Sequence, residues 1–129
     1  MNQKIINKTV QTAINLKHLV PNRSKHFSFL VRKNKIISFG YNKTLKTHPL
    51  CLKFNYSSQA IHSELACLLN CSKIDKRSFM INIRIDKDNN LLMSRPCGHC
   101  TNLLLHHDIT NVVYSTEEGF KCLKMKIIK

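Results

Sequence analysis

Short apolar strands and helical stretches alternate along this chain, and that order points to a sheet with helices packed on its faces. From Lys4 to Val20 the apolar residues Ile6, Val10, Ala13, Ile14 and Leu16 recur at helical spacing, and Pro21 ends the pattern. Phe27–Val31 and Ile36–Tyr41 read as short strands, with the polar stretch Arg32–Lys35 turning between them as in a hairpin. Gly40 ends the second strand or lets another backbone approach closely. Asn42–Ala60 has no periodicity, and a loop of that length inside a compact domain is usually functional or mobile. His62 to about Cys71 reads as a buried helix carrying Leu65, Ala66, Leu68 and Leu69. Phe79–Ile85 is a strand and Asp86–Asn90 a polar turn. Cys97 to about His107 is a helix with Leu103, Leu104 and Leu105 inside. Val112–Tyr114 is a strand, Glu117–Gly119 turns the chain, and Leu123, Met125 and Ile127 alternate with Lys124 and Lys126 as an edge strand. Right-handed crossovers would make the later strands parallel, while the first and last strand pairs look like antiparallel hairpins. The expected fold class is therefore α/β with a mixed sheet.

The 129 residues suit a single domain spanning 1–129, and 43% hydrophobic residues suffice for a core. No apolar run approaches the roughly 20 residues of a membrane span, and the N-terminal stretch lacks the apolar segment and cleavage site of a secretion signal. The expected setting is cytoplasmic. In a reducing compartment the six cysteines point to metal binding or burial rather than to disulfides. The net charge of +14 has two readings. It suits a phosphate-bearing partner, either nucleic acid or an anionic nucleotide. The joint richness in Lys, Asn and Ile also fits an A/T-rich genome, which would raise Lys by itself.

Two segments carry chemistry, and each opens a helix: His62-Ser63-Glu64 and Pro96-Cys97-Gly98-His99-Cys100. Cys97 and Cys100 are spaced so that both sulfurs reach one ion from a first helical turn. There the free N–H groups and the positive helix end favour thiolates. Pro96 suits a helix entry, where its missing N–H leaves nothing unpaired. His62 adds a third ligand from a separate helix start, which leaves the fourth tetrahedral position of a zinc ion to water. Glu64, two residues past a ligand, can reach that water without binding the metal. A second ligand set remains open, because Cys67 and Cys71 on one helix could complete a structural Cys₄ site with Cys97 and Cys100. Cys67 and Cys71 also read as small apolar residues of a buried helix. Cys51 and Cys122 carry no specific signal. His99 points elsewhere, and His106 and His107 suit a helix C-terminus.

The H-x-E and P-C-x-x-C segments are the signature of zinc deaminases, and the chain resembles the cytidine and deoxycytidylate deaminase superfamily. The resemblance runs from Phe27 to about Thr116. It includes Gly40-Tyr41-Asn42 and the run from Pro96 through Ile109 to Val112-Val113-Tyr114. The small viral and bacterial deoxycytidylate-type enzymes are the nearest match. The resemblance implies a three-layer fold, a mixed five-stranded sheet flanked by helices, with one Zn²⁺ per chain and frequent homo-oligomers. It implies that Glu64 moves protons as water attacks C4 of a cytosine ring, and that ammonia leaves to give uracil. It implies contact between Asn42 and the sugar or base. Backbone N–H groups of Ser63 or Cys97 are further candidates for stabilising the reacting centre. Within the long loop Lys43, Lys46, His48 and Lys53 are candidate phosphate contacts, as is Arg95 beside the zinc motif.

The chain departs from the family pattern in three places. Ser63 stands where Ala is frequent, Lys43 follows Asn42 where Gly is frequent, and Ser94-Arg95 precede Pro96. The expected substrate is a free cytidine or deoxycytidine nucleotide or nucleoside, dCMP first, with no membrane partner. One alternative is a cytosine or adenine deaminase acting on single-stranded DNA or RNA. Another is a non-catalytic zinc-stabilised module that binds nucleic acid. The basic surface allows non-specific nucleic-acid binding in any of these cases.

Overall fold

The computed structural model describes residues 3–20, 25–44 and 60–125. Helix α1 spans Gln3–Leu16 and runs into a 3₁₀ turn at Lys17–Leu19. Strands β1 (Lys25–Arg32) and β2 (Lys35–Tyr41) form the expected antiparallel hairpin. Its two-residue turn is Lys33-Asn34, with φ of 52° and 60° at the two positions. Positive φ at both central residues matches the right-handed twist of the flanking strands. Short strands β3 (Lys43–Thr44) and β4 (Ala60–Ile61) pair antiparallel, with Lys43 opposite Ile61 and Thr44 opposite Ala60. Helix α2 (Ser63–Leu69), strand β5 (Phe79–Ile85), the two-residue β6 (Leu91–Leu92), helix α3 (Gly98–His106) and strands β7 (Asn111–Thr116) and β8 (Gly119–Lys124) follow.

The strand order is β2-β1-β5-β7-β8, with β6 paired to β5 as a sixth strand. Only β5 and β7 run parallel, joined across α3, and the other pairs in this sheet are antiparallel. The five principal strands are those the sequence suggested. Strand β7 is longer than expected, and the last turn lies at Glu117-Glu118, with Gly119 opening β8 at φ 126°. Ile127 lies outside the described residues.

Strand alternation divides the core in two. Phe27, Phe29 and Val31 of β1 and Ile81, Ile83 and Ile85 of β5 pack with Ile5, Ile6 and Ala13 of α1. Leu30 and Met80, on the opposite face, pack with Leu65 and Leu68 of α2 and Leu103 and Leu104 of α3. The result is the expected three layers: α1, sheet, then α2 with α3. Gly40 explains how closely α2 lies on β2, because a Cβ there would overlap the Cys67 backbone nitrogen. Beside it the Ser38 hydroxyl donates to the Cys67 carbonyl at 2.7 Å. Among the described residues no helix is long and apolar enough to cross a membrane.

Candidate metal centre and buried acid

Both metal-ligating segments sit where the chain enters a helix. His62 precedes α2 with φ −69°, ψ 155°, and Cys97 precedes α3 with φ −70°, ψ 170°. In that extended conformation a side chain can turn back over the first helical turn. The Cys97 sulfur does so, accepting from the Cys100 backbone N–H at 3.4 Å. His62 Nδ1 lies 3.8 Å from Cys97 Sγ and 3.3 Å from Cys100 Sγ, and the three ligand atoms fall within 4.8 Å of one another. Zinc at about 2.3 Å from sulfur and 2.0 Å from nitrogen, with tetrahedral angles, puts such atoms roughly 3.5–3.8 Å apart. The donor set, two thiols and an imidazole, therefore fits one Zn²⁺. Cys100 is buried, His62 half-buried and Cys97 exposed, so the cluster is closed on the core side and open outward.

The electrostatics favour a cation. The Cys97 thiol is pulled down to about 3, first by its hydrogen bond with Cys100 and then by His62. His62 is raised in return, mainly by its hydrogen bond with Cys97. A thiolate held ready at a helix start is a ligand that needs no further deprotonation.

Cys67 and Cys71 do not join this cluster, and the Cys₄ alternative falls with them. Cys67 is fully buried in the core against α2's neighbours, and burial pushes its thiol up to about 12. A thiol that stays protonated is a poor metal ligand. Cys71, past the far end of α2, donates to the Lys73 carbonyl at 3.2 Å. His99 is half-buried and outside the metal cluster. His106 and His107 meet edge to face with ring centres 5.1 Å apart at the end of α3.

Glu64 lies in the first turn of α2 and is only 7% exposed. Its Oε1 accepts from the Ser63 hydroxyl at 3.0 Å and its Oε2 from the Asn82 amide at 3.2 Å. Burial raises its pKa, and hydrogen bonds from its own backbone N–H and from Ser63 oppose the shift. Asn82 and Ser28 stand side by side on β5 and β1, on the sheet face that carries α2. Ser28 Oγ donates to Asn82 Oδ1 at 2.7 Å and lies 2.8 Å from Ser63 Oγ. Asn82 also donates to the Ser94 carbonyl at 3.3 Å, and the Ser94 hydroxyl donates to the Asn82 carbonyl at 2.9 Å. Motif reading missed Ser28, Asn82 and Ser94. The available signal was a polar residue at a core position, Ser in FSFLV and Asn in FMINI.

The expected substrate contacts are only partly described. The Asn42 side-chain oxygen accepts from the His26 N–H at 3.0 Å, and the Asn42 N–H donates to the His26 carbonyl at 3.2 Å, which ties the end of β2 to β1. Arg95 is exposed beside Pro96. Lys43 belongs to β3. Lys46, His48 and Lys53 lie outside the described residues, as does Cys51.

Residues 4–116 match the family model described as the cytidine and deoxycytidylate deaminase zinc-binding region. No curated protein sequence matches the chain. Among solved structures it is similar to the dCMP deaminase of the cyanophage S-TIM5 in complex with dCMP and dUMP, at 17% identity and TM-score 0.62, covering 88% of this chain and 82% of that one. The same enzyme in apo form gives 18% identity and TM-score 0.63, covering 88% and 84%. The cytidine deaminase of Mycobacterium leprae gives 17% identity and TM-score 0.53, covering 88% of each chain. At these identities the likeness is one of fold, and the family match carries the assignment: the chain belongs to the cytidine and deoxycytidylate deaminase family, with the His-Cys-Cys cluster of its zinc-binding region intact.

Proposed function

We propose that this zinc-dependent deaminase converts a free deoxycytidine nucleotide, dCMP first, to the corresponding uracil nucleotide, with Glu64 as its proton carrier. The observation that carries the reading is a buried carboxyl two residues from a three-ligand cluster that is open on its outer side. Zinc held by His62, Cys97 and Cys100 supplies an activated water when bound. Glu64 accepts a proton from the water as its oxygen bonds to C4 of the ring. The same carboxyl delivers that proton to N3, then takes the remaining proton of the new C4 hydroxyl and passes it to the amine as the C4–N bond breaks, leaving a C4 carbonyl and ammonia. A single buried carboxyl suits this shuttle, because its raised pKa narrows the gap between taking and giving a proton. Backbone N–H groups of Ser63 and Cys97 can steady the charge that develops at the reacting centre.

Asn42 is the proposed sugar or base contact, and Lys43, Lys46, His48 and Arg95 the proposed phosphate contacts. The cyanophage enzyme's complex with dCMP and dUMP supports a nucleotide substrate. The chain is proposed to act in the cytoplasm as one domain, residues 1–129, and to form a homo-oligomer. The net charge of +14 favours a second reading, action on single-stranded nucleic acid. That reading also needs aromatic stacking surfaces. The chain has no Trp, and Phe27 and Phe29 are buried in the core.

The test is turnover at near-physiological salt against dCMP, CMP, deoxycytidine, cytidine and cytosine-containing oligonucleotides, with products read by mass. Faster conversion of dCMP than of any oligonucleotide is expected. Conversion of an oligonucleotide with the free compounds untouched would replace the proposal with the nucleic-acid reading.

A further inference from the structure

We infer that Ser28 and Asn82 are positioning residues for Glu64, closing a ring of side chains that holds its carboxyl in one orientation. This rests on the reading of Glu64 as the proton carrier. The ring runs from Glu64 Oε1 to Ser63 Oγ at 3.0 Å, to Ser28 Oγ at 2.8 Å, to Asn82 Oδ1 at 2.7 Å, and from Asn82 Nδ2 to Glu64 Oε2 at 3.2 Å. All four side chains are buried, the most exposed being Glu64 at 7%. Two of them sit on α2 and two on the neighbouring strands β1 and β5, so the ring ties the first turn of the helix to the sheet.

The ring gives each carboxyl oxygen of Glu64 its own buried partner, Ser63 on the same helix and Asn82 on the sheet, so the carboxyl cannot turn without breaking a hydrogen bond. Asn82 is held from the other side by Ser94, whose carbonyl takes the second amide hydrogen and whose hydroxyl bonds the Asn82 carbonyl. Ser94 lies just before Pro96-Cys97, so the same asparagine links the acid to the segment that leads into the cysteine ligands. Ser63, in place of the family's frequent Ala, supplies the hydroxyl that completes the circuit on the helix side.

Three substitutions test this, Asn82→Ala, Asn82→Asp and Ser28→Ala, each made alone and combined with Glu64→Gln. In zinc-loaded protein, Asn82→Ala and Ser28→Ala are expected to lower kcat about 10–100-fold, with KM for dCMP and zinc content at wild-type values. Asn82→Asp keeps the shape, replaces the amide donor with a second carboxylate and should lose at least as much. In the Glu64→Gln background the same substitutions should cost no further activity, because the group they position is gone. Independent of activity, a crystal structure of Asn82→Ala should show the Glu64 carboxyl displaced or in several rotamers. Unchanged kcat, equal losses with and without Glu64, or an unmoved carboxyl would overturn the assignment. If Asn82→Ala does not fold, Ser28→Ala and Asn82→Asp carry the test. Wild-type protein that converts no cytosine compound would instead remove the deaminase reading, and the ring's role with it.

Discussion

Replacing Cys97 by Ala removes the exposed member of the His62–Cys97–Cys100 cluster and leaves two ligands, too few to hold zinc firmly. The expected result is a loss of nearly all bound metal in Cys97→Ala, read by metal analysis, against one ion per chain in the wild type. Retained stoichiometric zinc would mean that other side chains hold it. His26 gives a prediction of another kind. Burial, then the charges of Arg84 and His62, lowers it to about 4. A base whose folded pKa lies below its unfolded one near 6.5 binds more protons when unfolded across that window. Stability from this source is therefore complete above about pH 6.5 and lost as pH falls towards 4, on the order of 1–3 kcal/mol. Urea unfolding of His26→Gln against wild type between these pH values should show a flatter slope in the variant. Identical slopes would show that His26 titrates normally. At this scale the ligands and Glu64 were legible because each motif is local and fits in one helical turn. Ser28 and Asn82 were not, because only the β1–β5 register brings them together under Glu64.

Helix α2 lies against β2 closely enough that a Cβ on Gly40 would overlap the helix backbone at Ala66 and Cys67. Gly40→Ala must push helix and strand apart, at the top of the roughly 1–3 kcal/mol range for overpacking. Because α2 carries Glu64 and follows His62, turnover should fall with stability in this variant, as thermal unfolding and dCMP kinetics would show. A variant as stable and active as wild type would mean that the strand yields freely. The sequence left two roles for Gly40 open, ending a strand or admitting a close backbone, and the structure shows the second. The long strands and helices were legible from apolar periodicity, since each buries a stripe or a face. Strands β3, β4 and β6 were not, because two residues carry no period. Their pairing follows from where the larger elements leave the chain.

Across the whole molecule, two cores on opposite sides of one sheet leave the chemistry at the starts of α2 and α3, above Ser28 and Asn82. The charge of +14 is spread over a chain with only seven acidic residues, so binding to single-stranded nucleic acid is expected at low salt and should fall steeply as salt rises. Turnover of dCMP should outlast that binding, and parallel loss of both with salt would favour the nucleic-acid reading. The central claim is that Glu64, beside zinc held by three ligands, carries the proton in cytosine deamination. The measurement that bears on it most directly is dCMP deamination by wild type and Glu64→Gln, compared at equal zinc content. Glutamine keeps the side chain's size but cannot take and return a proton, so kcat should fall by at least about 10²–10⁴-fold while bound zinc and the folded state are unchanged. A Glu64→Gln protein that holds its zinc and works within a few-fold of wild type would contradict the account.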